Sequence, residues 1–188
     1  MNDPSQDLAY IRNIIDKSRR AARVDALPLA IWGILTVAGV ATTLLVPALD
    51  SVWLWVFLIG LAWTYSAIRA LQRRGNRDPR LFAQRILTTL WVSILAAMTV
   101  IGFAGVFSQI LHPQAIPPVF AGMFGVGCLT SAALMDKRWL AACGIGWWLG
   151  AVAMFLVTIE WRLGLYGALI LAFLIIPALA IHRTAPDQ

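Results

Sequence analysis

The sequence predicts an all-α polytopic membrane protein, with six transmembrane helices preceded by a cytoplasmic amphipathic helix. Three observations lead there. Of the 188 residues, 60% are hydrophobic and 13% are charged, whereas a soluble domain of this size carries roughly a quarter charged residues. The apolar residues are blocked into long runs of about 20, the length a helix needs to cross a hydrocarbon core of roughly 30 Å. The basic residues fall almost entirely in alternate connections between those runs.

The first element is the stretch DLAYIRNIIDKSRRAARVD. At about 100° per residue, Leu8, Tyr10, Ile11, Ile14, Ile15, Ser18, Ala21 and Ala22 share one half of a helix. Arg12, Asn13, Asp16, Lys17, Arg19, Arg20 and Arg23 occupy the other half, and only Ala9 and Val24 break the division. Such two-sidedness is the mark of an amphipathic helix. Asp3 stands at its N-cap position, Pro4 at its first position and Gln6 where a capping box wants it. Residues 1–26 are therefore read as a cytoplasmic helix, 27–183 as the transmembrane domain and 184–188 as a cytoplasmic tail. The start of the chain does not read as a secretory signal. Two acids fall in its first seven residues, and no short apolar core or small-residue cleavage site follows a basic start.

Six spans follow, at about 28–48, 52–72, 86–110, 117–135, 139–159 and 162–182. Each break has a chemical cause. Asp50 and Ser51 cap the second span after Pro47. RRGNRDPR holds a Gly-Asn stop, then Asp78 as N-cap and Pro79 at a first helical position. HPQAIPP sets Pro117 and Pro118 at the start of the fourth span. MDKRW and IEWR read as tight turns.

Charge orients the spans. The head holds Arg12, Lys17, Arg19, Arg20 and Arg23, and the second connection holds Arg69, Arg73, Arg74, Arg77, Arg80 and Arg85. Lys137 and Arg138 lie in the fourth connection and Arg183 in the tail, so of 15 Lys and Arg only Arg162 falls on the other side. The positive-inside rule then puts both termini in the cytoplasm. The net charge of +6 is a consequence of topology and calls for no nucleic-acid partner. Trp53, Trp55 and Trp161 at the outer boundary and Trp139 at the inner one match the aromatic belts of membrane proteins.

The first and fifth spans resemble each other without gaps. LAIWGILTVAGVATTLLV (29–46) and LAACGIGWWLGAVAMFLV (140–157) share Gly33/Gly144 and Gly39/Gly150 among seven identities. Both run in the same direction, so a duplication would be a parallel one, although apolar alphabets also match by chance. Small residues mark candidate helix packing: Gly146 with Gly150, and Ala121 with Gly125, let backbones approach in lipid. Gly127 with Ser131 forms a similar pair. Packing within one chain is the first use of such pairs and a homodimer the second.

Ionisable groups inside a membrane are costly and tend to be functional, and this chain has almost none at depth. Arg69 is near a helix end, where it can snorkel. Asp50, Asp136, Glu160 and Arg162 lie at turns, and Glu160 and Arg162 flank Trp161 as interfacial anchors. His112 and His182 sit at opposite faces. No HExxH, GxSxG or Walker motif occurs, so neither an enzyme nor a bound cofactor or metal is expected. Cys128 and Cys143 fall on neighbouring spans and read as small core residues, without a converging set of sulfur or imidazole ligands. The most unusual intramembrane segment is GIGWWLG, residues 144–150, because an indole N–H at mid-depth needs a partner. Trp147 and Trp148, with Trp63 and Trp91, form a candidate ligand pocket, set against plain core packing.

The candidate interaction surface is the head helix, through Leu8, Ile11, Ile14 and Ile15 on one side and Arg12, Lys17, Arg19 and Arg20 on the other. It can lie on an anionic leaflet, each basic residue contributing about 1 kcal/mol. It can also pack on the bundle or dock its apolar side into a partner's groove. The stretch DLAYIRNIIDKSRR, followed by AIWGILTVAG and later by GIGWWLG, resembles a family of small, uncharacterised bacterial six-helix membrane proteins with an acidic-Leu-x-x-Ile head and a Trp-Gly in the first span. GILTVAGVATTLLVP is similar, over a shorter length, to acid-resistance membrane proteins of the HdeD type. The first resemblance implies a bacterial inner-membrane protein and carries no activity with it. Two functions are expected on these grounds: interaction with lipid or a partner protein through the cytoplasmic helix, or passage or sensing of a small neutral or aromatic solute.

Overall fold

The computed structural model describes residues 27–49, 51–74 and 82–183. Within them the chain forms α1 (Leu27–Leu45), α2 (Val52–Arg74), α3 (Phe82–Phe107), α4 (Ile116–Met135), α5 (Arg138–Leu156), α6 (Ile159–Ile170) and α7 (Ile176–Arg183). Short 3₁₀ turns occupy Pro47–Leu49 and Pro113–Ala115, and a π turn, Leu171–Ile175, joins α6 to α7 into one span. Among the described residues, six helical stretches are long and apolar enough to cross a membrane. The described residues contain no strand, and the protein is an all-α, multi-pass membrane protein. The amphipathic head, 1–26, lies outside the described residues.

Local chemistry sets the ends of the spans. At the start of α2 the Leu54 amide donates to Ser51 Oγ at 3.4 Å. Pro117 and Pro118 occupy the first turn of α4, where a missing N–H costs no helical bond. That helix stops because Asp136 turns left-handed (φ 53°), its amide bonding to the Ala132 carbonyl. Lys137 reaches the same oxygen at 3.1 Å, a glycine-type stop served here by an aspartate, which tolerates that backbone region. Gln109 does the same after α3 (φ 59°), so this span ends at Phe107 rather than 110. The last turn between spans is at Val157–Thr158, not at IEWR. Glu160 thereby enters the first turn of α6, where a carboxylate complements the helix dipole. Arg162 Nε donates to the Val157 carbonyl at 3.4 Å.

With lipid outside, apolar burial alone does not hold helices together, and close backbone approach matters more. The most extensive interface is α4 against α5. A Cβ placed on Gly125 would lie 3.1 Å from the Gly144 oxygen, and one on Gly144 would lie 3.1 Å from the Gly125 oxygen. α6 covers the other side of α5, with Gly146 beneath Phe173 and Gly150 against Leu169. α1 packs on α2 through Gly39, which meets Leu58 and Trp55. The 111-residue spacing that relates Gly39 to Gly150 also relates Leu58 to Leu169. The first and last hairpins thus pack through equivalent residues, beyond the identities visible in the spans themselves.

The span of α2 is peripheral, with 6% of its apolar window buried against 22–44% for the other spans. Polar pins hold it: Trp32 donates to Ser66 Oγ at 3.0 Å and Trp63 to Thr99 Oγ1 at 3.1 Å. Trp32 and Trp63 meet edge to face, with centroids 5.3 Å apart.

Candidate functional site

The centre of the bundle is aromatic. Trp147 is fully buried because α5 turns this face toward both α4 and α6. Its ring stacks on Phe124 with centroids 4.8 Å apart and meets Tyr166 at 6.2 Å and Phe173 at 6.4 Å. Phe124 in turn touches Trp91 at 6.2 Å. Trp91 lies over Gly127, where a Cβ would come within 3.0 Å of the indole. The Trp91 N–H donates to Ser131 Oγ at 3.1 Å, and the Ser131 hydroxyl donates to the Gly127 carbonyl at 2.7 Å. The N–H of Trp147 is buried without a hydrogen-bond partner, a cost of about 1–3 kcal/mol that the surrounding ring contacts offset.

The four tryptophans singled out from sequence are therefore not gathered around one pocket. Trp91 and Trp147 share the core through Phe124. Trp63 belongs to a separate cluster with Trp32, Ala62 and Leu95. Trp148 points away from Trp147, as adjacent helical residues must. It is 45% exposed and staples α5 to α4 from outside, donating to the Gly122 carbonyl at 3.1 Å with its ring over Gly125.

A cleft of about 40 Å³ lies nearer the Met135 end of the bundle, walled by Trp91, Cys128, Ser131, Phe173 and Pro177. By volume it holds a few waters. Sequence reasoning missed this cleft, the bridging ring Phe124 and the hydroxyl Ser131 as Trp91's partner. Gly144 stood out only as part of the repeat. The π turn beside the cleft left no sequence signal except the nearby Pro177.

The candidate packing residues are all engaged inside the bundle. Ala121 and Gly125 face α5, while Gly146 and Gly150 face the α6 span. Cys128 and Cys143 are free, buried thiols in the same core. Among the described residues, no three His, Cys, Asp or Glu side chains converge as a metal site requires. The candidate interaction residues Leu8, Ile11, Arg12, Ile14, Ile15, Lys17, Arg19 and Arg20 lie outside the described residues.

Charge divides the two ends of the bundle. Arg69, Arg73, Arg74, Arg85, Lys137, Arg138 and Arg183 cluster at helix ends on one side, whereas Glu160 and Arg162 begin α6 on the other. Trp53 and Trp161, well exposed, ring the second end, and Trp139 the first.

Fold and site together define a multi-pass α-helical membrane protein with a closely packed aromatic interior and one strongly basic end. No family model, curated protein or solved structure matches the chain.

Proposed function

We propose that the protein is a non-enzymatic bacterial inner-membrane protein that works through its cytoplasmic, basic end by contact with membrane lipid or a partner protein. The observation that carries this reading is the concentration of arginine and lysine at one end of a bundle whose centre is filled by side chains. An interior occupied by Trp147, Phe124, Tyr166 and Met154 is a scaffold, and the chemistry left to meet other molecules is at the surface. The sequence of residues 1–26, read as a helix with a basic and an apolar side, would add to the same end under this reading.

Deleting residues 1–24 tests the proposal. The shortened chain should insert and remain folded, but its sedimentation with vesicles containing phosphatidylglycerol, or its cellular phenotype, should be lost. Unchanged vesicle binding and an unchanged phenotype would overturn the reading.

A second reading, passage or sensing of a small neutral solute, is favoured by the cleft beside Trp91 and Ser131. Tryptophan emission that responds to benzyl alcohol in the full chain, and loses the response in Ala178→Phe, which fills the cleft from its wall, would support it. An identical response in both would count against it.

A further inference from the structure

Among the described basic side chains at its end of the bundle, Arg69 is placed differently. It lies on α2 five residues before the helix ends at Arg74, about 7.5 Å along the axis. Arg85 and Arg138 are exposed, whereas Arg69 is half-buried. Its Nε is shut off from solvent and has no hydrogen-bond partner. Removing part of the guanidinium from water is costly unless an anion takes up its exposed donors. Among the described residues the one carboxylate at this end is Asp136, which already has an interaction of its own.

The surroundings indicate what kind of anion. α2 is the least enclosed span, so lipid flanks it on most sides. Tyr65 lies one turn before Arg69 on the same face, the amphipathic type of ring found at head-group depth. The planar fork of arginine matches two phosphate oxygens at once, which a lysine ammonium does not.

We propose that Arg69 binds the phosphate of an anionic phospholipid lodged against α2 in the leaflet facing the basic end. The inference rests on the reading that this end of the bundle works at a membrane surface, and it names one lipid contact for it. Charge complementarity and the planar guanidinium of a half-buried arginine select phosphate. The open flank of α2 selects a lipid as its carrier rather than a free ion.

The test uses the full chain in detergent, titrated with phosphatidylglycerol, phosphatidylcholine or inorganic phosphate, with bound lipid counted by native mass spectrometry and the unfolding temperature followed in parallel. Wild type should retain phosphatidylglycerol and gain stability from it, gain less from phosphatidylcholine, and gain nothing from inorganic phosphate. Arg69→Gln should weaken retention roughly tenfold or more, the loss of a charge-assisted hydrogen bond. Arg69→Lys should recover only part of it, and Arg162→Gln, at the opposite end of the bundle, should leave it within about twofold.

Equal stability losses for Arg69→Gln in both lipids would mean the guanidinium serves the protein itself, and would overturn the proposal. Full stabilisation by inorganic phosphate would overturn the lipid as carrier. Should Arg69→Gln fail to fold, Arg69→Lys decides: retention equal to wild type would exclude the forked contact. If deletion of 1–24 abolishes the vesicle binding while Arg69→Gln changes no lipid count, the surface reading stands and the Arg69 site falls. If Arg69→Gln loses the lipid while the deletion changes nothing, the site stands and the surface reading falls.

Discussion

Gly125 and Gly144 face each other across the α4–α5 crossing, each placed so that a methyl group on either would lie 3.1 Å from the other's carbonyl oxygen. The two oxygens are backbone, so at that contact the helices cannot yield by a side-chain rotation, and Leu129 Cγ lies nearer still to a Cβ on Gly144, at 2.6 Å. The Trp148 ring packs against the same face of Gly125. The contact sets the spacing of the two helices that bury the aromatic core.

Gly144→Ala should therefore destabilise the bundle by about 1–3 kcal/mol, the usual cost of overpacking. Gly122→Ala, on a neighbouring face with open space around its Cα, should be neutral or mildly stabilising, since alanine favours helix. Equilibrium unfolding in mixed detergent micelles measures both. Similar losses in the two variants would show that the crossing is not specially close.

The adjacent tryptophans should behave oppositely. Trp147→Ala removes a fully buried ring and should cost about 3–5 kcal/mol, whereas Trp147→Phe keeps the stacking on Phe124 and removes an unpaired N–H, so it should cost much less. Trp148→Phe loses one hydrogen bond on the outer surface, about 0.6 kcal/mol by the average found for such bonds in membranes. Unfolding midpoints of the three variants check the order.

Ser131→Ala should leave the Trp91 N–H without its acceptor and cost about 1–3 kcal/mol. Trp91→Phe combined with Ser131→Ala removes both partners. A double-mutant cycle should return a coupling of roughly 0.6 to 1.7 kcal/mol. A coupling of zero would mean the 3.1 Å contact carries no energy.

Topology can be read independently. Reporter fusions after residue 188 should be active for a cytoplasmic reporter and silent for a periplasmic one, and fusions after Val157 should show the reverse. Replacing Lys137 and Arg138 by glutamine alone should not invert the pattern, because most of the basic residues lie elsewhere.

Much of the architecture was legible before any coordinates. The spans follow from runs such as 86–110, and their breaks from Pro117, Pro118 and Ser51, because length, hydropathy and missing N–H groups act locally. At the end of the third span a left-handed residue was responsible for the misjudgement. Gln109 stops α3 early, and neither its identity nor its neighbours announce that conformation. The IEWR turn was misplaced because Glu160 and Arg162 looked like loop residues, although a carboxylate serves equally well inside a first helical turn.

The candidate site was legible only in part. The twin tryptophans were conspicuous in the sequence, but two adjacent helical residues point about 100° apart. Only the packing of α4 and α6 around α5 decides which is core and which is surface. Composition, hydropathy and charge placement establish an all-α membrane protein with six spans, because each depends on residues close together in the chain. Tertiary structure decided that Trp147 is enclosed and Trp148 is a staple, that Gly125 meets Gly144, and that the Arg69 Nε is shielded. Those outcomes depend on which helices become neighbours, and in an apolar solvent that choice is made by the shapes of facing surfaces.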